Sequence, residues 1–345
     1  MLTRNIDNFK RSWILLSIIC VIAMIIIGGY TRLTNSGLSI VEWKPITGAI
    51  PPLSLDDWNI EFEKYKQSPE YQKINFSFSI EEFKDIYYVE YFHRLMGRIL
   101  ACIFFLPFFY LILKRELTPK ELRSYSIIMI LLMLQGFMGW YMVKSGLVLN
   151  PHVSHFRLAT HLLMACILIH ALTVEYLSIS SSRVFIGQLL THSNFVIFNL
   201  YIQIISGALV AGLDAGLVYN SFPLMDGRLI PPEFSNIIGI FDIFTSPGSV
   251  QFIHRMIAYF LLVNILFFCY RLMILFRDNK QVMLATAILS ALSLLQVALG
   301  ITTLLLVVPL SFALLHQLCG ILLLITAVYV KHIVQSVKEI VNARL

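Results

Sequence analysis

Charge is the scarcest property of this sequence: Lys, Arg, Asp and Glu make up 13% of its 345 residues, while 58% are hydrophobic. A soluble domain carries roughly a quarter charged residues, so composition alone excludes an ordinary globular fold and points to many membrane spans. Cysteine is equally sparse. The five cysteines (Cys20, Cys102, Cys166, Cys269, Cys319) all fall inside apolar runs and no CxxC spacing occurs. A disulfide framework in an oxidising compartment is thereby excluded, and core packing is the expected use of the thiols. The first apolar run lacks a small-residue cleavage pattern and passes directly into GGYTRLTNSGL, so it is expected to be retained as a span. No Arg-rich, Ser-rich, acid-poor leader precedes it, which favours a bacterial inner membrane over a mitochondrial precursor.

What is present is a series of apolar runs near 12–29, 92–113, 125–143, 157–177, 194–213, 253–275, 282–304 and 312–332. Each suffices to cross a hydrocarbon core about 30 Å thick. The expected fold class is therefore an all-α integral membrane protein with eight transmembrane helices. Lys and Arg cluster before the first span (Arg4, Lys10, Arg11), in the second connection (Lys114, Arg115, Lys120, Arg123), in the sixth (Arg271, Arg277, Lys280) and after the last (Lys331, Lys338, Arg344). Short basic connections stay in the cytoplasm, which places both termini there; the fourth connection adds only Arg183. The net charge of +6 reads as topology, and no nucleic-acid partner is expected.

The chain also repeats itself. His93 and Arg94 recur 161 positions later as His254 and Arg255, and Gln135 and Gly139 recur as Gln296 and Gly300. This predicts two pseudo-symmetric four-helix bundles, residues 1–180 and 181–345, related by an axis along the membrane normal. Residues 30–88 form the longest polar segment, with nine acidic and six basic residues and the aromatics Trp43, Trp58, Phe62, Tyr65 and Tyr71. It reads as an ordered external cap or lid, with short surface helices near DDWNIEFEKYK and IEEFKDIYYVE.

Four histidines stand near helix starts on the predicted external side: His93, His161, His254 and His316. Ionisable groups within the bilayer need partners. Two per half suit two pairs of axial ligands, each holding a haem iron between facing helices. The ungapped offset pairs His316 with His155, whereas depth within the span pairs it with His161; His161 is preferred and His155 stays open, with His152 a second choice. His170 is expected to be structural, and His192 and His332 receive no role. Arg94 and Arg255 follow their histidines at the boundary, suited to haem propionates or to snorkelling towards headgroups. Glu90 shares a helical face with His93, whereas the matching position in the second half is Gln251. The two halves are thus expected to share binding chemistry and differ in reaction chemistry, the glutamate-bearing half being active.

The segments GGYTRLTNSGLSIVEWKPITGAIPP, EYFHRLMGR, LQGFMGW, SHFRLATHL, FPLMDG, VQFIHRMIAY and LLHQLCG together resemble the haem A synthase family, in its alphaproteobacterial and mitochondrial branch. They run through all eight spans. The resemblance implies an enzyme oxidising the C8 methyl of haem O, through a hydroxylated intermediate, to the formyl of haem A for terminal oxidase assembly. It implies that Glu90 is required for activity, that His93 and His161 face the substrate haem, and that His254 and His316 hold a haem b. It also implies a functional link to a haem O synthase and an electron-transfer partner, and a homo-oligomer is compatible with it. External cysteine pairs typical of the other branch are missing here, so that branch's disulfide chemistry does not carry over. The competing reading of the same histidines is a dihaem membrane cytochrome b that carries electrons without altering its haem; a parallel-repeat transporter would need a midplane polar site instead.

Overall fold

The computed structural model describes residues 2–148, 150–179, 187–237 and 239–336; Arg183, Lys338 and Arg344 of the topology reading lie outside them. Ten α-helices occur among the described residues: α1 (Leu2–Leu33), α2 (Leu55–Lys66), α3 (Pro69–Lys73), α4 (Ile80–Leu113), α5 (Pro119–Lys144), α6 (His155–Ser178), α7 (Gly187–Gly212), α8 (Pro247–Leu275), α9 (Lys280–Leu305) and α10 (Leu310–Ser336). All but α2 and α3 are long and apolar enough to span a membrane, which makes eight spans. Large apolar side chains such as Leu106, Leu113, Phe260, Val263 and Leu284 stay exposed on these helices, as a lipid-facing surface requires. Contacts divide the chain into two compact units, Ser12–Ala165 and Met1–Arg11 with Cys166–Leu345. The repeat puts its seam at 180/181; the contacts put theirs inside α6.

In the unit Ser12–Ala165, local chemistry sets the helix starts. Ser54, Ser79 and Thr118 each accept from the backbone N–H three residues on, and Asp57, Glu82 and Glu121 reach back in capping boxes. Inside α4, Pro107 cannot donate to the carbonyl of Ile103. That orphan is met from α1, where Trp13 Nε1 donates to Ile103 O at 2.9 Å, a repair that hydrocarbon surroundings demand. Trp13 also packs on Phe104 and edge-on to Tyr125, so one indole ties α1 to α4 and α5.

The expected surface helix at IEEFKDIYYVE is not separate. With its start capped at Ser79 and no Gly or Pro before Gly97, α4 runs unbroken from the polar segment into the span, placing Glu90 and His93 about three turns inside a continuous helix. The DDWNIEFEKYK helix forms as α2. It packs Trp58, Phe62 and Tyr65 against Phe83, Tyr87 and Tyr91 of α4 and against Ile40. Seven buried side chains of this kind, each contributing on the order of 2 kcal/mol, make the segment an ordered cap built on α4.

Under that cap lies a carboxyl the sequence did not single out. Glu70, 4% exposed, accepts from the Tyr65 hydroxyl at 3.0 Å, and Asn75 Nδ2 donates to the same hydroxyl at 2.8 Å. Burial, opposed by the Tyr65 hydrogen bond and reinforced by the negative charge of Glu90, pushes Glu70 up to about 7 from 4.5. A carboxyl whose folded value is raised binds its proton more tightly when folded, so its contribution is full below about 4.5 and lost as pH rises through about 7. Backbone hydrogen exchange across residues 54–79 is therefore expected to accelerate between pH 5 and 7.5, beyond the intrinsic chemical rate, and Glu70→Gln is expected to flatten that dependence.

In the other unit, α7 packs on α8, α8 on α9, α9 on α10 and α10 on α7, closing a four-helix ring. The second half of α6 joins this unit through Tyr201 of α7, whose hydroxyl bonds His170 Nδ1 at 2.8 Å and donates to Cys166 O. His170 thus has a packing role. Asn220, from the α7–α8 connection, donates to Leu304 O at 2.8 Å and so caps the end of α9.

Candidate functional site

Each of the four histidines lies against a glycine of the preceding spanning helix. A Cβ built on Gly28 would come within 3.3 Å of the His93 ring, on Gly139 within 3.2 Å of His161, on Gly207 within 3.0 Å of His254 and on Gly300 within 2.9 Å of His316. A side chain at any of these positions would press on the ring, most tightly at Gly300, so glycine lets each imidazole lie close to its neighbour's backbone. This local geometry separates His161 from His155. His161 has the Gly139 and Gln135 neighbourhood that His316 has with Gly300 and Gln296, whereas the His155 ring lies tilted against Phe156 at the first turn of α6.

His93 and His161 lie within electrostatic range of each other in one unit, and His254 and His316 do so in the other. Among the described residues no three or more His, Cys, Asp or Glu side chains converge as a chelating cluster. The donors come instead as imidazole pairs, the number a six-coordinate haem iron takes from protein. The buried Nδ1 atoms of His161 and His316 have no hydrogen-bond partner, nor do the Oε1 atoms of Gln135, Gln203 and Gln296. Unpaired polar atoms at both pairs fit interiors arranged around a further group. Of the other histidines, His192 Nε2 meets Asn264 Oδ1 at 3.0 Å and its Nδ1 lies 3.2 Å from Arg271 Nη1, His332 is buried near the end of α10, and His152 is exposed in the loop before α6.

Glu90 is 2% exposed and its four contacts are all with hydrogen-bond donors. Oε2 accepts from Ser39 Oγ at 2.7 Å and from the Ile40 N–H at 2.9 Å. Oε1 accepts from Arg94 Nε at 3.0 Å and Nη2 at 2.6 Å. Arg94 also donates to the carbonyls of Ile40 and Glu42, so the Glu90–Arg94 pair fastens residues 39–42 to α4. Of the five guanidinium N–H groups, one on Nη1 is left over. A cavity of about 360 Å³ opens beside it, lined by Arg94, Arg98, Lys44, Glu42 and Glu61 among others.

The second pair repeats this plan with reversed polarity on the loop side. Gln251 Oε1 accepts from Arg255 Nη2 at 2.9 Å, while its Nε2 donates to Ala215 O at 2.7 Å and to Tyr219 O at 3.3 Å. Arg255 donates to the carbonyls of Ser221 and Tyr219, and its buried Nε has no partner. Where the first loop presents an N–H and a hydroxyl to a carboxylate, the second presents carbonyls to an amide. The Glu90/Gln251 difference is thus built into the backbone of both loops.

The sequence had singled out Gln135, Gly139, Gln296 and Gly300 through the repeat, but not Gly28, Gly207, Gln203, Ser39 or Ser206. The spacing Gln-x3-Gly at Gln203 and Gly207 was a usable signal, being that of Gln135 and Gly139. Ser39 carried none, because its role depends on the fold of the loop.

The chain is similar to known proteins over nearly its whole length. A model of the family described as cytochrome oxidase assembly protein matches residues 11–328. A haem A synthase of Rickettsia africae (strain ESF-5) is 44% identical over 337 residues, 94% of this chain and 97% of that protein. One of Rickettsia bellii (strain RML369-C) is 44% identical over 335 residues, 95% and 99% of the two chains.

Proposed function

The chain belongs to the family of cytochrome oxidase assembly proteins that includes these haem A synthases, and from that membership we propose that it is itself a haem A synthase, oxidising haem O. The observation that carries this reading is the pairing of two similar histidine sites with one difference, a buried carboxylate at Glu90 against an amide at Gln251.

The finer chemistry is the conversion of the C8 methyl to a formyl group by two successive two-electron oxidations; each adds one oxygen from water to the carbon and releases two protons and two electrons, giving an alcohol and then a geminal diol that loses water. His93 and His161 take the substrate haem. His254 and His316 hold a haem b, which when bound supplies a one-electron acceptor for the electrons leaving the substrate. Glu90, three residues from His93 and hence on the same helix face, accepts protons released at the methyl carbon. Its hydrogen bond with Ser39 fixes the carboxylate for that task. Arg94 and Arg255 meet haem propionates with the N–H groups that the loop carbonyls leave over, the partnerless Nε of Arg255 supporting an anion there.

Each half, residues 1–180 and 181–345, works as a four-helix bundle. The bilayer is a bacterial inner membrane with both termini in the cytoplasm. The histidines then lie towards the periplasmic side, an orientation supported by the basic short connections. A haem O synthase supplies the substrate and an electron-transfer partner takes the electrons. The test is expression in a bacterial membrane that makes haem O but no haem A, followed by chromatography of the extracted haems with mass detection. Haem A or its hydroxylated intermediate is the expected product. Unmodified haem alone, from folded and haem-loaded protein with a competent electron partner, would transfer the reading to a dihaem electron carrier.

A further inference from the structure

One turn before each glycine that cradles a histidine, three of the four helices carry a glutamine and the fourth does not. Gln135 Nε2 lies 3.5 Å from His161 Nε2 and donates to His161 O at 3.1 Å. Gln203 Nε2 lies 3.1 Å from His254 Nδ1 and donates to His254 O at 3.2 Å. Gln296 Nε2 lies 3.5 Å from His316 Nε2. Ser206 adds a 2.8 Å contact to His254 Nδ1. The matching position before Gly28 is Met24, whose methyl lies against Gly97, where a Cβ would be 3.7 Å from it. Among the described residues, the His93 ring has no hydrogen-bond partner.

Resting on the haem-ligand reading above, we infer that Gln135, Gln203 and Gln296 are positioning residues that hold His161, His254 and His316, and that Met24 leaves His93 as the one ligand able to let go. The physical reason is the support a ligating imidazole needs. Groups bonded to a ligand residue away from the nitrogen that would take the metal, here at His161 O, His254 O and His254 Nδ1, fix its orientation, and their loss weakens binding about 10- to 100-fold. An amide holds a ring in one place, whereas a thioether offers no strong donor or acceptor and adapts its shape. Two held histidines suit a resident cofactor. One held and one releasable histidine suits a macrocycle that must enter, react and leave. Release of His93 would free a ligand position on the side of α4, the helix that carries Glu90.

Glutamines that simply join helices would leave haem release unchanged, which separates the two roles. Purified full-length protein carrying both haems is mixed with excess apomyoglobin, and haem release is followed together with the low-spin EPR signals. The parent is expected to show one fast and one slow release phase. Met24→Gln should slow the fast phase about tenfold and shift the EPR signal of that site, with the slow phase unchanged. Gln135→Met should quicken the fast phase, and Gln296→Met the slow phase, each about tenfold. Should Met24→Gln fail to assemble, the two Gln→Met variants still decide. Release rates within twofold of the parent and unshifted EPR signals in all variants that assemble would reduce the glutamines to helix packing and overturn the inference. The underlying haem-ligand reading fails separately, if His93→Ala, His161→Ala, His254→Ala and His316→Ala all leave the haem content and the EPR signals unchanged.

Discussion

Glu90→Gln is expected to lower haem O conversion by at least about a hundredfold, in the range that loss of a positioned acid or base produces, while the protein keeps both haems. Two effects combine in that loss. The carboxylate proposed to accept protons is gone, and an amide cannot reproduce its hydrogen bonds. Oε1 and Oε2 of Glu90 accept from four donors, among them the Ile40 N–H and both Arg94 groups. An amide nitrogen in place of either oxygen sets donor against donor, leaving buried groups unpaired at a cost of roughly 1–3 kcal/mol each. An amide fits at position 251, where the loop presents carbonyls to Gln251, and is disruptive at position 90. Ser39→Ala separates the contributions, since it removes the 2.7 Å anchor and keeps the charge. It is expected to reduce conversion less than tenfold. Conversion by a haem-loaded Glu90→Gln within threefold of the parent would remove Glu90 from the chemistry; a Ser39→Ala loss as large as that of Glu90→Gln would make loop anchoring its main role.

Gly300→Val is expected to empty the C-terminal haem site as completely as His316→Ala. Even the first added carbon would sit 2.9 Å from His316 Cε1, 3.4 Å from Nδ1 and 3.6 Å from Nε2. The branched side chain drives two further methyls towards the ring, and β-branching restricts the rotamers that might avoid it. Overpacking in close-packed interiors commonly costs about 1–3 kcal/mol; here the strain falls on a group whose position is its function. Haem content by the pyridine haemochrome assay should fall from two per chain towards one, with conversion lost on the proposal that this haem accepts the electrons. Gly136→Val is the control on the same type of helix, since nothing lies within 4 Å of a Cβ built there; it should keep both haems. A Gly300→Val protein with full haem content would show that the imidazole tolerates displacement and that the glycine is not a steric requirement.

Much of this molecule could be read from the chain because its determinants are local or periodic. Apolar runs of span length specify membrane helices whatever surrounds them. Ser79 and Glu82 mark the start of α4 by their spacing, and the 161-residue echo marked His93, His254, Gln135, Gly139, Gln296 and Gly300 before any coordinates. The continuous run of α4 was missed because the polar-to-apolar change at its middle was taken for a helix boundary, although helix propensity and capping do not depend on that change.

Residue identity alone determined the spans, the histidines and the exchange of Glu90 for Gln251, since those follow from hydropathy and position along the chain. The tertiary structure decided what each residue faces. It put Ser39 and Ile40 on Glu90, gave His161 the neighbourhood of His316, buried Glu70 under the aromatic cap, and set Met24 where three other helices carry glutamine. Those relations depend on how helices far apart in sequence pack at a few ångströms, and a hydrogen bond or a steric contact at that range is decided by the fold of both partners together.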